Sequence, residues 1–269
     1  MLKFLSLSSG SSGNCYFLGD GTSGLLIDAG ISLRRVRREL GVYGLGFASF
    51  AAILVTHDHL DHIRHLGAYC KRLEKPVYAT RVLHEALLRN TFTRDHITAC
   101  RRDFSDGATP VLDGVAVRYF IVPHDATQTV GFAIDWKGHR FVLMTDAGRV
   151  TEEALEYART ADTVVIESNY DMGMLIGGCY PHELKMRICR GCGHLSNEEC
   201  AEAILDFWHP GLRNIFLCHL SDNNNTPELA FASAAAALCS IRTKDGRSAR
   251  DITGLHPLPR GRASQLFDL

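Results

Sequence analysis

His57-Asp58-His59-Leu60-Asp61-His62, standing directly after the apolar run Phe50-Ala51-Ala52-Ile53-Leu54-Val55, governs how the rest of the chain is read. Three imidazoles and two carboxylates within six residues form the donor set that borderline divalent metals such as zinc prefer. The competing reading is a polar loop whose histidines merely solvate a strand end. That would serve for one histidine but not for this density. A metal site is the stronger reading, and the loop alone does not complete it, because a dinuclear centre needs further ligands and a bridging group from elsewhere.

Other apolar segments end in the same way. Val115 to Val122 leads into His124, Arg140 to Met144 into Asp146, and Asn214 to Cys218 into His219. These segments are short, rich in Val, Ile, Leu and Phe, and bounded by Gly, Asp or Pro, which predicts strands. The candidate ligands then sit at strand carboxyl ends, where α/β architectures commonly build sites. Between the strands, 63–75, 81–90, 151–160, 197–208 and 227–240 have helical character. Ser196 with Glu199 forms a capping box, and Thr151 precedes acidic residues as an N-cap does. Strands and helices mixed throughout give an α/β class. Without a low-complexity linker, repeat or composition shift, residues 1–269 are expected to form a single domain, with a loosely packed basic segment at 242–269.

A content of 46% hydrophobic residues is ample for a packed core. No apolar run reaches the length of about 20 residues that spans a bilayer, so no membrane partner is expected and the cytoplasm is the default compartment. Nine cysteines without regular spacing are not a secreted disulfide framework. Cys189 and Cys192 have the spacing of half a zinc knuckle or of a redox pair, but no second such pair exists. A net charge of −1 gives no global attraction to polyanions, so such a substrate needs local patches. Two candidates exist, Arg34-Arg35-x-Arg37-Arg38 and the tail from Arg242 to Arg262. Each is read equally well as a solvated helix face or a frayed terminus.

Taken in order, His57-x-His59-x-Asp61-His62, Pro123-His124, Thr145-Asp146-Ala147-Gly148 and Cys218-His219-Leu220-Ser221 resemble the ligand motifs of the metallo-β-lactamase superfamily. More narrowly, the Ser8 to Cys15 segment, Leu26-Ile27-Asp28-Ala29-Gly30, Glu167-Ser168-Asn169 and Gly193-His194-Leu195-Ser196-Asn197 resemble its YycJ/WalJ branch, related to RNase Z and the cyclic phosphodiesterases. The resemblance implies a four-layered αβ/βα sandwich. It also implies two divalent metal ions, zinc or manganese with iron as an option. His57, His59 and His124 would serve one ion, Asp61, His62 and His219 the other, and Asp146 would lie between them.

In that reading a metal-bridging hydroxide attacks the phosphorus, Asp61 holds it in line, and His194 protonates the leaving oxygen. Asp28 and Asp125 are candidates to orient the imidazoles through their second nitrogens. Ser196 and Asn197, at a helix N-terminus, are candidates for phosphate contact. Asn14, Asn169 and His182 are further candidates to line a substrate cleft. The expected function is a phosphodiester hydrolase, foremost a DNA nuclease or exonuclease. The alternatives are a small cyclic phosphodiesterase or an RNA-processing nuclease; weaker ones are a thioesterase-like or glyoxalase-like hydrolase and a non-catalytic metal-binding regulator. The chain carries no long insertion of the kind RNase Z uses to clamp tRNA.

Overall fold

A computed structural model describes residues 1–269. The chain begins with β1 (Lys3–Ser8), β2 (Cys15–Gly19), β3 (Gly24–Ile27), α1 (Leu33–Gly41), β4 (Ala52–Leu54), α2 (Leu60–Ile63), α3 (Leu66–Leu73), β5 (Val77–Ala79), α4 (Arg81–Arg89), α5 (Ile97–Cys100), β6 (Arg101–Asp103) and β7 (Thr109–Leu112). It continues through β8 (Val115–Val122), β9 (Thr129–Trp136), β10 (His139–Met144), α6 (Glu152–Ala158), β11 (Thr163–Glu167), α7 (Met172–Gly177), α8 (His182–Cys189) and α9 (Asn197–Phe207). The last elements are β12 (Asn214–Cys218), α10 (Pro227–Ser240), β13 (Gly254–Pro257) and β14 (Phe267–Asp268). The fold is mixed α/β, and each segment expected to be a strand is one.

Two seven-stranded sheets result, ordered β14-β1-β2-β3-β4-β5-β6 and β13-β12-β11-β10-β9-β8-β7. In the first, β3 through β6 are parallel while β14, β1, β2 and β3 pair antiparallel. In the second, β10 through β13 are parallel. The parallel strands β3, β4 and β11 are buried at every residue, as strands covered on both faces must be. That is why they read as continuous apolar runs rather than alternating ones.

The chain divides into two compact units, Met1–Val117 with Ala126–Thr129 and Pro259–Leu269, and Arg118–Asp125 with Val130–Leu258. Each has its own apolar core. In the first, Phe17, Leu26, Ile53, Val55 and Tyr69 pack with Leu33, Val36 and Leu40 of α1. In the second, Phe120, Val142, Ile166, Phe207 and Leu217 pack with Ala230, Ala234 and Leu238 of α10. Within 242–269, β13 joins β12 in parallel, and β14 pairs with β1 while Lys3 Nζ donates to Asp268 Oδ1 at 2.5 Å. The tail has backbone donors and acceptors to satisfy, and the sheet edges accept them. No helix is long and apolar enough to cross a membrane.

Helix starts follow local chemistry. Ser196 Oγ accepts from the Glu199 amide at 3.0 Å and the Ser196 amide donates to Glu199 Oε2 at 2.8 Å, completing the expected capping box. The helix expected over 63–75 is instead two, α2 and α3. At the break, His65 adopts φ −109° and ψ 0°, and its amide donates to the Ala29 carbonyl at 3.1 Å. That bond, with Ala29 N donating to the His62 carbonyl at 2.7 Å, ties the histidine-rich loop to the end of β3.

Candidate metal centre

In the first unit the site residues gather around Asp28. It lies one residue past β3 at φ 63°, a left-handed conformation that costs energy outside glycine and persists only where the surroundings impose it. The surroundings here are hydrogen bonds. Thr56 N donates to Asp28 Oδ1 and Thr56 Oγ1 to Oδ2, both at 2.9 Å, and His62 Nδ1 donates to Oδ2 at 2.7 Å. Because the Thr56 hydroxyl hydrogen goes to Asp28, its oxygen accepts from His57 Nδ1 at 3.0 Å. Both imidazoles therefore carry hydrogen on Nδ1 and the lone pair on Nε2, the tautomer of a metal ligand.

The rings of His57 and His59 lie 4.8 Å apart by centroid and those of His57 and His62 4.0 Å. Asn14 Nδ2 reaches His62 Nε2 at 2.8 Å and Asp61 Oδ2 at 3.3 Å, while its Oδ1 accepts from Gly10 N at 2.8 Å, which fixes the amide orientation. Asp58 accepts from Thr127 N at 3.2 Å and Oγ1 at 2.5 Å, securing the 126–129 loop.

Gly30 shows how tightly this loop is set. A Cβ there would meet the Asp61 carbonyl oxygen at 1.7 Å and Asn14 N at 2.6 Å, both backbone atoms. Gly30→Ala is expected to destabilise the protein by more than about 3 kcal/mol, since backbone must move. Gly41→Ala, on α1 with nothing within 4 Å of the added carbon, should be neutral or stabilise by about 0.5 to 1 kcal/mol. Thermal unfolding of the two variants checks this, and equal shifts would disprove it.

In the second unit the three strand-end residues come together. Asp146 follows β10 at φ 54° and His219 follows β12 at φ 53°, both again left-handed. His219 Nε2 lies 3.4 Å and His124 Nε2 3.9 Å from Asp146 Oδ1. Their Nδ1 atoms face away, His124 donating to the Gly193 carbonyl at 2.7 Å and His219 to Glu167 Oε1 at 2.9 Å. His194 Nδ1 donates to the same Glu167 oxygen at 2.9 Å, and Glu167 Oε2 accepts from the amides of Ala147 and Leu195 at 2.8 and 3.2 Å. Ligand atoms of Asp146, Glu167, His194 and His219 all lie within 4.8 Å of one another.

Electrostatics follow from this packing. Burial pulls the His124 pKa below its usual value, with Asp146 opposing. Burial also acts to lower that of His194, but the Glu167 and Asp146 carboxylates outweigh it and hold the imidazole above its ordinary range. For Glu167, burial pushes up, and the His194 and His219 imidazoles hold the carboxyl below the usual range. His194 differs from the other two histidines in exposure. Its side chain is 23% exposed against 1% for His124 and 2% for His219, and it turns Nδ1 rather than Nε2 toward Asp146.

Several expectations change. Asp28 orients His62 as anticipated; His124 Nδ1 is held by the Gly193 carbonyl, while Asp125 pairs with Arg187 and its Oδ1 lies 3.4 Å from His124 Nε2. Asn14, Asn169, Ser196 and Asn197 are all buried. Asn169 Nδ2 donates to the His219 carbonyl at 2.7 Å. Asn197 Oδ1 accepts from Ser168 Oγ at 2.6 Å, its Nδ2 donates to Asn225 at 3.0 Å, and its amide donates to the Tyr170 carbonyl at 2.8 Å. His182 lies exposed at the start of α8, lining a cavity of about 370 Å³ with Met172, Ile176 and Met186, outside both histidine clusters. Glu167 and Thr56 carried no expected role. Glu167 was readable by the same rule as the others, being a carboxylate that ends an apolar strand.

The residues present fit divalent metal ions. Imidazoles with Nδ1 anchored and Nε2 directed at a buried carboxylate, on backbone held left-handed, are a ligand set prepared in advance. The cysteines take no part in the clusters. All nine are free, and burial pushes the thiol of Cys200 up to about 12, which keeps it protonated and unreactive.

Residues 24–215 match the beta-lactamase superfamily domain. The chain is 35% identical over 240 residues to the exodeoxyribonuclease YycJ of Bacillus anthracis, covering 88% of this chain and 89% of that one. It is 33% identical over 228 residues to the exodeoxyribonuclease WalJ of Streptococcus pneumoniae, covering 85% of each. In fold it resembles zinc-bound PqqB of Methylobacterium extorquens, with a TM-score of 0.70 at 19% identity over the full length of both chains. The chain is thus a metal-dependent hydrolase that belongs to the beta-lactamase superfamily, in the branch of YycJ and WalJ.

Proposed function

We propose that the protein is a cytoplasmic DNA exonuclease that hydrolyses phosphodiester bonds with two divalent ions, zinc, manganese or iron. His57, His59 and His124 would hold one ion, Asp61, His62 and His219 the other, and Asp146 both. Bound there, the ions would supply Lewis acidity for activating water and for neutralising phosphate charge. Asp61 orients the attacking water through its carboxylate, which Asn14 steadies. His194 Nε2 donates a proton to the leaving oxygen while Glu167 holds Nδ1 at 2.9 Å.

The single observation that carries phosphodiester chemistry is this anchored, partly exposed imidazole beside a ligand cluster. A hydrolase that expels an alkoxide needs a proton donor there. The choice of DNA rests on the relatives' activity. Nine free thiols agree with a reducing compartment.

The test is incubation with end-labelled single- and double-stranded DNA, RNA and bis-p-nitrophenyl phosphate under zinc or manganese. Shortening of DNA from one end, abolished by EDTA and restored by either metal, is expected. Activity confined to the small diester would replace the nuclease reading with a small-molecule phosphodiesterase.

A further inference from the structure

Two arginine clusters more than 200 residues apart in the chain meet in the first unit. Arg35 Nη2 donates to the carbonyl of Gly261 at 2.8 Å and to that of Leu7 at 3.1 Å. The Leu266 amide donates to Tyr43 Oη at 3.2 Å, a few residues past α1. Arg260 and Arg262 thereby come to lie against the helix that carries Arg34, Arg35, Arg37 and Arg38. That helix buries Leu33, Val36 and Leu40, so its arginines occupy the outer face. Arg34, Arg37 and Arg262 are exposed and make no ion pair, and Arg35 engages only carbonyls; Arg38 is neutralised by Glu39 at 2.5 Å.

Like charges gathered in this way oppose folding. In a chain of net charge −1, such a gathering is not a by-product of general basicity. Guanidinium groups, without a single lysine among them, are the groups best shaped for phosphate oxygens. The patch also leads to the candidate centre. Gly261 N donates to the Ser9 carbonyl at 3.3 Å, and Ser9 and Arg260 form a parallel bridge. From Ser9 the chain runs through exposed Ser11 and Ser12 to Asn14, which touches Asp61 and His62. Five residues span at most about 18 Å, the reach of about five nucleotides at ~3.4 Å each.

We propose that Arg34, Arg35, Arg37 and Arg262 form a strip that grips the phosphates of the DNA strand whose scissile bond lies by Asp61 and His62. The assignment rests on the nuclease reading above. The strip supplies the local attraction that net charge does not, and it confers preference for a polymer over a small diester.

The test compares the full-length protein with Arg34→Ala/Arg37→Ala/Arg262→Ala and with a control, Arg89→Ala/Arg94→Ala, which removes exposed arginines elsewhere in the same unit. Anisotropy of fluorescein-labelled oligo(dT) in EDTA gives affinity across a salt series; metal-loaded protein gives turnover of DNA and of bis-p-nitrophenyl phosphate. The triple variant is expected to bind at least tenfold more weakly at about 0.1 M salt, with the slope of log K against log salt reduced by about 2, at ~0.7 per phosphate contact. Its small-diester turnover should stay within twofold. An unchanged affinity and slope, an equal loss in the control, or an equal loss of small-diester turnover would each overturn the strip. A parent protein that cleaves DNA while the triple variant matches it sinks the strip alone; a parent that neither binds nor cleaves DNA sinks the nuclease reading and the strip with it.

Discussion

His194→Ala is expected to lower phosphodiester turnover by about 10² to 10⁴ while leaving metal content unchanged. The magnitude is that of one positioned proton donor. The second half of the expectation separates two roles that the geometry brings close together. Nδ1 of His194 is 3.8 Å from Asp146 Oδ1, and the ring centroid lies 5.1 Å from that of His124 and 5.2 Å from that of His219, near enough for a ligand. Yet that nitrogen is committed to Glu167 at 2.9 Å, and the ring is the most exposed of the three. A ligand would point Nε2 at Asp146, as His124 and His219 do. Metal stoichiometry and steady-state turnover measured on the same preparation decide the matter, and loss of metal with activity would make His194 a ligand. Turnover of bis-p-nitrophenyl phosphate, whose leaving group needs little protonation, should fall less than turnover of DNA.

Glu167 carries a comparable effect with a different signature. Its two oxygens accept from His194, His219, the Asn169 side chain and two backbone amides, and it is fully buried. Glu167→Ala removes all five contacts and leaves two imidazoles, the Asn169 amide and two backbone N–H groups without their acceptor. Breaking a buried charged network in this way costs about 3 to 5 kcal/mol, so the unfolding temperature should drop markedly and the soluble yield with it. Glu167→Gln keeps shape and one acceptor oxygen but turns an NH₂ toward one pair of donors. It should remain folded and lose about 10- to 100-fold in metal affinity or turnover, the usual effect of disturbing a group that orients a ligand. A Gln variant with parental metal retention and turnover would remove Glu167 from the positioning of His194 and His219.

Legibility in the sequence tracked how local each signal was. His57, His124, Asp146 and His219 were found because each ends a short apolar strand, a pattern visible within ten residues. The cap at Ser196 was found for the same reason. The strands β1 to β3 and the helices α1, α7 and α8 were not predicted, since strands of four to six residues and an arginine-rich helix offer little periodicity to read. Asp28 was anticipated as an orienting carboxylate, and so was Asp125, which instead pairs with Arg187 while His124 Nδ1 turns elsewhere. A ring nitrogen bonds what lies across the fold, here the Gly193 carbonyl.

Ser196 and Asn197 make the same point from the other side. Their residue types and helix-start position suit phosphate, and burial turned those donors inward to Glu199, Tyr170 and Asn225. Taken alone, the sequence determined the donor types, their placement at strand ends and the α/β class, because these depend on residue chemistry and short periods. Only the tertiary structure decided that Asp28 orients His62, that one Glu167 oxygen serves both His194 and His219, and that two distant arginine clusters adjoin. Each of those depends on distances between residues 25 or more positions apart, and such distances are set by how strands pair and helices pack, not by any local period.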